Sequence, residues 1–178
     1  ALIHTLDFDD THLAGSIHPS AAVIGASLAA IDLTGGTVGD LLRAIAIGTE
    51  VACWLSEISP GELHARGFLP TAVLGAVGGA VAASVIFGLD DKRFADAIGL
   101  ASAVAAGFFQ LEESWVKNWN GGWAANAGIS AAVTARVGYN GPLHALEGPM
   151  GFFAIHTSVR HIDPSTLAPK GAWRSEAI

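Results

Sequence analysis

The side chains best suited to acid–base chemistry are concentrated near the start of the sequence, in Asp7-Phe8-Asp9-Asp10-Thr11-His12 and the nearby His18-Pro19-Ser20. Carboxylates, a hydroxyl and imidazoles lie close together there, although only 14% of the chain is charged. Burial and crowding of like charges shift pKa values, and catalytic groups need shifted pKa values. A catalytic site is one interpretation of this cluster. The other is a solvated turn between two helices, and the residues alone favour that second interpretation.

A second candidate group follows Trp115, where Lys117 stands among aromatic residues ahead of a glycine pair. The sequence predicts a helix from Trp123 onward. The free N–H groups of Gly121, Gly122 and Trp123 would then form an anion site, with Lys117 supplying positive charge. An exposed Lys117 in a loop anchored by tryptophans explains the same pattern equally well.

Composition and charge exclude several classes of protein. The 178 residues suffice for one domain with a sizeable core. The net charge is −7 and the 9 lysines and arginines are scattered, so we do not expect the chain to bind nucleic acid. No nucleotide-binding glycine motif occurs, and spacings such as His12 to His18 fit no zinc site, so neither cofactor nor metal is expected.

The chain is also apolar, with 51% hydrophobic residues, which indicates surface buried against a partner subunit, another domain or lipid. Cys53, the only cysteine, is predicted to be a buried thiol. The uncharged stretch 68–89 contains Gly75-x-x-x-Gly79 and is long enough for a membrane helix. Its small side chains and the lack of a flanking basic cluster favour a central helix enclosed by other helices.

Apolar positions recur at helical spacing and no stretch alternates with period two, so the sequence predicts an all-α domain. The end of a helix over 1–10 would place His4, Asp7 and Thr11 on one face and Asp9 on the other. Further helices are predicted over 19–33, between a Thr37 cap and Ser59, and over 68–89, 91–107, 123–137 and 143–147. The region 161–178 lacks periodicity and is interpreted as a linker or the start of something missing.

Several segments, in a fixed order, resemble the MmgE/PrpD family. Besides the two opening segments, they are Gly48-x-Glu50-Val51, Arg66-Gly67-Phe68-x-Pro70-Thr71, Trp115-x-Lys117 running into Gly122-Trp123-Ala124-Ala125, and Glu147-Gly148-x-x-Gly151-Phe152-Phe153. The resemblance spans nearly the whole chain. The family includes 2-methylcitrate dehydratases, cis-aconitate decarboxylases and an iminodisuccinate epimerase, which act on small polycarboxylates without a metal.

The resemblance implies the helical domain of a larger enzyme in which a smaller α/β lid closes over the site. Residues 1–160 are interpreted as this helical domain, and residues 161–178 as a linker or the start of the lid. The family's first helices would precede Ala1 and the lid would follow Ile178. The implied protein is a cytoplasmic homodimer joined through its helical domain, with no membrane or nucleic-acid partner.

The resemblance also implies four catalytic residues, which are Asp7, Thr11, His18 and Lys117. His18 is expected to transfer a proton to or from the substrate. Asp7 would orient or charge His18, and Thr11 would donate a hydrogen bond. Asp9 and Asp10 are expected only to set the turn.

Lys117, with the amides of Gly121 and Gly122, is expected to hold a substrate carboxylate. The sequence departs from the resemblance at Leu69, where decarboxylase-like members carry a histidine. It also departs at Asn120, where some members have histidine. A leucine transfers no proton and binds no carboxylate, so Leu69 argues against decarboxylation.

These features predict a metal-independent lyase for a small di- or tricarboxylate, most simply a 2-methylcitrate dehydratase-like hydro-lyase. One alternative is a catalytically silent helical subunit that pairs with an intact homologue. A decarboxylase or an epimerase of the same family is the other. The residues that discriminate between substrates are expected in the lid, so the sequence does not define the substrate.

Overall fold

The computed structural model of the protein describes residues 1–168 and 171–178, so part of the predicted irregular tail, residues 169–170, lies outside the described residues. The described chain is helical, as predicted, and its residues form isolated β-bridges but no strand. The helices are α1 (Ser20–Thr34), α2 (Val38–Glu57), α3 (Glu62–Ala65), α4 (Pro70–Phe87), α5 (Asp91–Val104), α6 (Val116–Arg136) and α7 (Phe152–His156). Short 3₁₀ helices occur at Leu2–His4, Pro164–Thr166 and Arg174–Ala177.

Helix α4 lies at the centre of the fold, in contact with α1, α2, α5 and α6. Every residue from Pro70 to Ser84 is buried. Among the described helices, α4 alone is long and apolar enough to cross a membrane, and 83% of that stretch is buried within the fold. The prediction of a central helix enclosed by others is confirmed.

Glycines allow these helices to approach closely. A Cβ atom on Gly128 of α6 would lie 2.7 Å from the Ala76 carbonyl oxygen and 2.7 Å from the Ala80 nitrogen of α4. A Cβ atom on Gly48 of α2 would lie 2.8 Å from the Gly78 carbonyl oxygen of α4. Because the neighbouring atoms belong to backbone, they cannot move aside without separating the helices. The small residues of this sequence therefore determine the spacing of α2 and α6 from α4.

The predicted end of α1 and the predicted start of α2 are correct because local chemistry defines them, whereas α2 ends at Glu57, before the predicted stop at Ser59. Gly35 ends α1 with a left-handed φ of 72°, a conformation that costs glycine little. The Thr37 side chain accepts a hydrogen bond from the Asp40 N–H, and the Asp40 carboxylate accepts one from the Thr37 N–H. This capping box satisfies N–H groups at the start of α2.

Three local predictions are wrong. Residues 1–10 form only the 3₁₀ helix Leu2–His4 followed by irregular backbone, in which Asp7 has a φ of 51°. Residues 143–147 form turns, and the short helix lies instead at Phe152–His156. Helix α6 begins at Val116 and not at Trp123.

The described part of the C-terminal tail packs against α2. The Arg174 guanidinium donates to Glu57 Oε2 at 2.8 Å and to Glu50 Oε1 at 2.9 Å. The Trp54 indole N–H donates to Thr166 Oγ1 at 2.9 Å. The tail is therefore anchored to the helical domain, although its sequence has no helical periodicity.

Cys53 is fully buried in α2, as predicted. Burial raises the pKa of the Cys53 thiol to about 12, and the nearby Glu50 carboxylate acts in the same direction. The thiol is therefore protonated at neutral pH and is a poor nucleophile.

The α4–α6 contact makes a prediction for stability. We expect Gly128→Ala to lower the free energy of unfolding by about 1–3 kcal/mol, because the new methyl group overpacks backbone against backbone. Gly39→Ala is the matched control, since Gly39 is an exposed residue of the first turn of α2 with only Thr37 Oγ1 near its added Cβ, at 3.6 Å. That variant should be neutral or more stable by up to about 1 kcal/mol. Urea unfolding of both variants checks the pair, and equal effects would contradict the packing argument.

Candidate active site

The loop between the N-terminus and α1 is held in place from both ends. Asp10 Oδ2 accepts hydrogen bonds from the Ser20 hydroxyl at 2.7 Å and from the Ser20 N–H at 3.3 Å. Burial raises the pKa of Asp10, and these bonds from Ser20 oppose that shift. An antiparallel bridge between His12 and Ile17 closes the loop. The next residue, His18, donates its backbone N–H to Thr71 Oγ1 of α4 at 3.1 Å.

The His18 imidazole is fixed through one of its two nitrogens. Its Nδ1 lies 2.9 Å from the Asp10 carbonyl oxygen and 3.1 Å from Thr11 Oγ1. A carbonyl oxygen only accepts hydrogen bonds, so Nδ1 carries the proton and donates it there. Nε2 then keeps its lone pair, and a partly exposed side chain with a free Nε2 can act as a base.

Two buried side chains lie next to His18. The His4 Nδ1–H donates to Asp9 Oδ2 at 2.8 Å, and the His4 ring centroid is 4.9 Å from that of His18. Asp9 Oδ1 is 3.9 Å from His18 Nδ1 and has no hydrogen-bond partner in the described chain. Asp9 therefore places a buried carboxylate next to the imidazole of His18.

His4, Asp9 and His18 also offer possible metal-ligand atoms that all lie within 4.8 Å of one another. The chemistry of the donors fits a hydrogen-bond network better than a metal centre. His18 Nδ1 is hydrogen-bonded to the Asp10 carbonyl, and His4 Nδ1 is hydrogen-bonded to Asp9 Oδ2, so each of the three residues already has one ligand atom engaged. Two further atoms of the cluster, His4 Nε2 and Asp9 Oδ1, are buried and have no hydrogen-bond partner among the described residues.

Lys117, in the first turn of α6, forms an ion pair with Asp7. The hydrogen bond from Lys117 holds the pKa of Asp7 below its ordinary value, and the charges of Lys117, His4 and His18 act in the same direction. Asp7 Oδ1 also lies 4.0 Å from His4 Nδ1. The structure thus brings Asp7 and Lys117 together, and Thr11 and His18 together, with His4 next to both pairs.

The direct contacts of these residues differ from the expected ones, although Asp7 and His18 still interact through their charges. Asp7 pairs with Lys117, and it is Asp9 and the Asp10 carbonyl that lie against the His18 ring. Asp9 does not merely set the turn, because it is buried against His4.

The anion site predicted at Gly121 and Gly122 is absent. Both residues lie inside α6, so they are not at its N-terminus and their N–H groups belong to the helix interior. The two glycines allow close packing instead. An added Cβ on Gly121 would lie 3.5 Å from His4 Cβ, and one on Gly122 would lie 2.9 Å from the Ala1 nitrogen.

Sequence reasoning missed the roles of His4 and Asp9 in the site. His4 is held from two sides, since its carbonyl accepts from Asn118 Nδ2 of α6 at 2.9 Å and its ring donates to Asp9. The available signal was the density of titratable residues in this segment. This density did not show which side chains are buried and which are exposed, because the burial of each side chain depends on the path of an irregular backbone.

An apolar cavity of about 370 Å³ lies beside the first turns of α6, lined by Ala106, Gly107, Phe108, Val116, Trp119, Asn120 and Trp123. The Asn120 side chain is buried there, and its Nδ2 has no hydrogen-bond partner in the described residues. Leu69 is also buried, and its N–H donates to the Gly107 carbonyl at 3.0 Å. Asn120 therefore lines this cavity, and Leu69 contacts Gly107, another residue of its lining.

Comparison with known proteins gives one consistent result. The model of the MmgE/PrpD N-terminal domain matches residues 1–165. The chain is 31% identical to cis-aconitate decarboxylase of Homo sapiens over 163 residues, which cover 88% of this chain and 33% of that protein. It is 29% identical to cis-aconitate decarboxylase of Aspergillus terreus over 160 residues, which cover 86% of this chain and 33% of that protein. The chain thus spans about a third of the length of these relatives.

The Asp7–Lys117 pair predicts a measurable pKa change. Lys117→Gln should raise the pKa of Asp7 toward its ordinary value, because the hydrogen bond and charge that favour the carboxylate are lost. In the parent protein, stability from this pair is present above the unfolded-state pKa and is lost as the pH falls through the lower folded-state pKa. Carboxyl ¹³C NMR titration measures the shift. The control is Asp40, whose pKa is lowered by Thr37 and should not change. An unchanged Asp7 titration would refute the pairing.

Proposed function

We propose that this chain, which belongs to the MmgE/PrpD family, supplies the helical half of a lyase active site for a small di- or tricarboxylate. The observation that carries the proposal is the state of His18. Its Nδ1 is engaged by the Asp10 carbonyl, so its Nε2 is the nitrogen that can take a proton, and Asp9 Oδ1 lies 3.9 Å from Nδ1. The names of the relatives support lyase chemistry on a polycarboxylate.

In the proposed reaction, His18 Nε2 removes a proton from the carbon next to a substrate carboxylate. Charge then accumulates on that carboxylate, and Lys117 stabilises it. An ammonium group has three N–H donors, so Lys117 can hold the substrate while it remains paired with Asp7. The roles of Asp7 and Thr11 are to position Lys117 and the His18 ring. In a dehydration, the protonated His18 then returns this proton to the hydroxyl group on the adjacent carbon. The C–O bond breaks, the hydroxyl leaves as water, and the electron pair of the broken C–H bond forms the double bond.

We propose dehydration as the reaction, in the manner of a 2-methylcitrate dehydratase. Leu69 supports this choice, because decarboxylase-like members carry a histidine at this position and a leucine transfers no proton. Leu69 is buried at the start of α4, two residues before Thr71, whose hydroxyl accepts from the His18 backbone. Decarboxylation is the second candidate, because the relatives described above are cis-aconitate decarboxylases. The two reactions differ in the bond that breaks, which is C–O in the first and C–C in the second.

We expect His18→Gln and Lys117→Gln, made in the full-length protein, each to lower turnover about 10²-fold or more, because each removes a group needed in the transition state. The assay offers 2-methylcitrate, citrate and cis-aconitate and follows the absorbance of the unsaturated acid. His144→Gln and Lys92→Gln are matched controls, since His144 pairs with Glu147 and Lys92 pairs with Asp96. Both controls should keep parental turnover.

Two outcomes would contradict the proposal. Turnover within a few-fold of the parent in both His18→Gln and Lys117→Gln would show that the residues are misassigned. A parent protein that is folded but turns over none of the three acids would favour a silent subunit, and mixing it with an active homologue would then test for pairing.

Leu69 allows a test of reaction type. We expect Leu69→His to raise the release of CO₂ from cis-aconitate at least about 10-fold, because it adds an imidazole, which can transfer a proton, two residues before Thr71, the contact of the His18 backbone. Leu69→Gln is the matched control, since glutamine is polar but transfers no proton. Equal CO₂ release from the two variants would show that Leu69 does not determine the reaction.

A further inference from the structure

Glu57 connects two parts of the molecule that are far apart in sequence. On one side, its Oε2 accepts from Arg174 Nε of the C-terminal tail at 2.8 Å. On the other, its Oε1 accepts from His12 Nε2 at 2.9 Å. Each carboxylate oxygen thus serves a different partner, one in the tail and one in the loop that precedes α1.

His12 depends on this contact for its orientation. The ring is almost fully buried, and its Nδ1 has no partner in the described part of the chain. The bond to Glu57 is therefore the only hydrogen bond that the structure gives to the His12 ring. Without it, a buried imidazole would have both nitrogens unsatisfied, a costly state that would make the ring move.

Movement of His12 would be transmitted to the candidate site. The His12 N–H donates to the Ile17 carbonyl at 2.9 Å, and the Ile17 N–H donates to the His12 carbonyl at 3.3 Å. This bridge joins the two sides of the loop directly beside Thr11 and His18. A shift at His12 therefore changes the distance between the Thr11 hydroxyl and the His18 ring, which is 3.1 Å here.

The tail is held firmly at its own end of the connection. Arg174 also donates to Glu50 Oε1 at 2.9 Å and to the Thr166 carbonyl at 2.7 Å, and the Ser175 N–H donates to Glu50 Oε2 at 3.2 Å. Glu57 is thus attached to a network of buried and half-buried charges instead of to a single exposed partner. This distinguishes it from a surface ion pair, which would fix little.

We propose that Glu57 is a positioning residue that couples the docked tail, through Arg174 and His12, to the geometry of Thr11 and His18. The inference rests on the proposed function only for its effect on turnover. The coupling itself is a property of the folded protein. No feature of the sequence pointed to it, because Arg174, Glu57 and His12 belong to three separate regions.

The test uses the full-length protein labelled with ¹³C at histidine Cε1. Glu57→Ala should shift the His12 resonance and change the His18 resonance, and it should lower kcat about 10-fold with KM within about twofold, because the proton-transfer group is misplaced while the substrate contacts remain. Glu57→Gln should be intermediate, since the amide keeps one acceptor oxygen. Arg174→Gln should shift the His12 resonance in the parent protein but not in the Glu57→Ala protein.

Arg43→Gln is the control, because Arg43 lies on the same helix in an exposed pair with Asp40 and should change neither the resonances nor kcat. A purely structural role for Glu57 would lower the unfolding temperature of Glu57→Ala and leave the His18 resonance and kcat of the folded protein unchanged. That result would overturn the proposal, as would an Arg174→Gln effect on His12 that persists without Glu57. A protein that is inactive on every acid but shows the predicted resonance shifts would contradict the proposed function and not the coupling.

Discussion

The close approach of α6 to α4 is the constraint on which the candidate site depends. Gly128 lets the two backbones meet near the middle of α4. In the first turn of α4, Thr71 accepts a hydrogen bond from the His18 backbone. Because α6 carries Lys117 in its first turn, the distance between these helices also determines where the ammonium lies relative to the imidazole. The contact between α4 and α6 consists largely of alanine and glycine, which have no flexible side chain that could adjust to a change in spacing. A change at this contact therefore shifts the helix backbones themselves.

The site itself is built from charges that are already partnered. Asp7 pairs with Lys117, Asp9 with His4, and Asp10 with Ser20, so the three neighbouring carboxylates point toward three different partners. Repulsion between neighbours remains, since the Asp9 charge helps to raise the pKa of Asp10. The arrangement leaves His18 in a defined tautomer, held by a backbone carbonyl that cannot titrate. The loop thus holds the His18 ring through a backbone group as well as through the Thr11 hydroxyl.

The sequence was most informative where local chemistry determines structure. The capping box at Thr37 and the left-handed Gly35 are recognisable from residue types alone, and both are where they were predicted. The start of α6 was missed because Asn118, Gly121 and Gly122 are poor helix formers, yet packing against His4 and Ala1 outweighs that preference.

The contacts of the site could not be predicted for a different reason. The Asp7–Lys117 pair joins residues 110 positions apart, and the His4–Asp9 bond depends on an irregular backbone with a positive φ at Asp7. Neither feature leaves a periodic signal in the sequence. The resemblance to a family named Asp7, Thr11, His18 and Lys117, but it did not indicate which of them touch.

The charge of the candidate site constrains how the proposed polycarboxylate substrate can bind. Among the described residues, Lys117 is the one lysine or arginine paired with this cluster, and Asp7 already neutralises much of its charge. Two unit charges 4 Å apart interact by about 4 kcal/mol at an effective dielectric constant of 20, so an anionic substrate near Asp7 and Asp9 meets repulsion of that order. Proton transfer can be supplied by His18 within this helical domain. In the proposed reaction, Lys117 offsets part of this repulsion with the N–H donors that Asp7 leaves available.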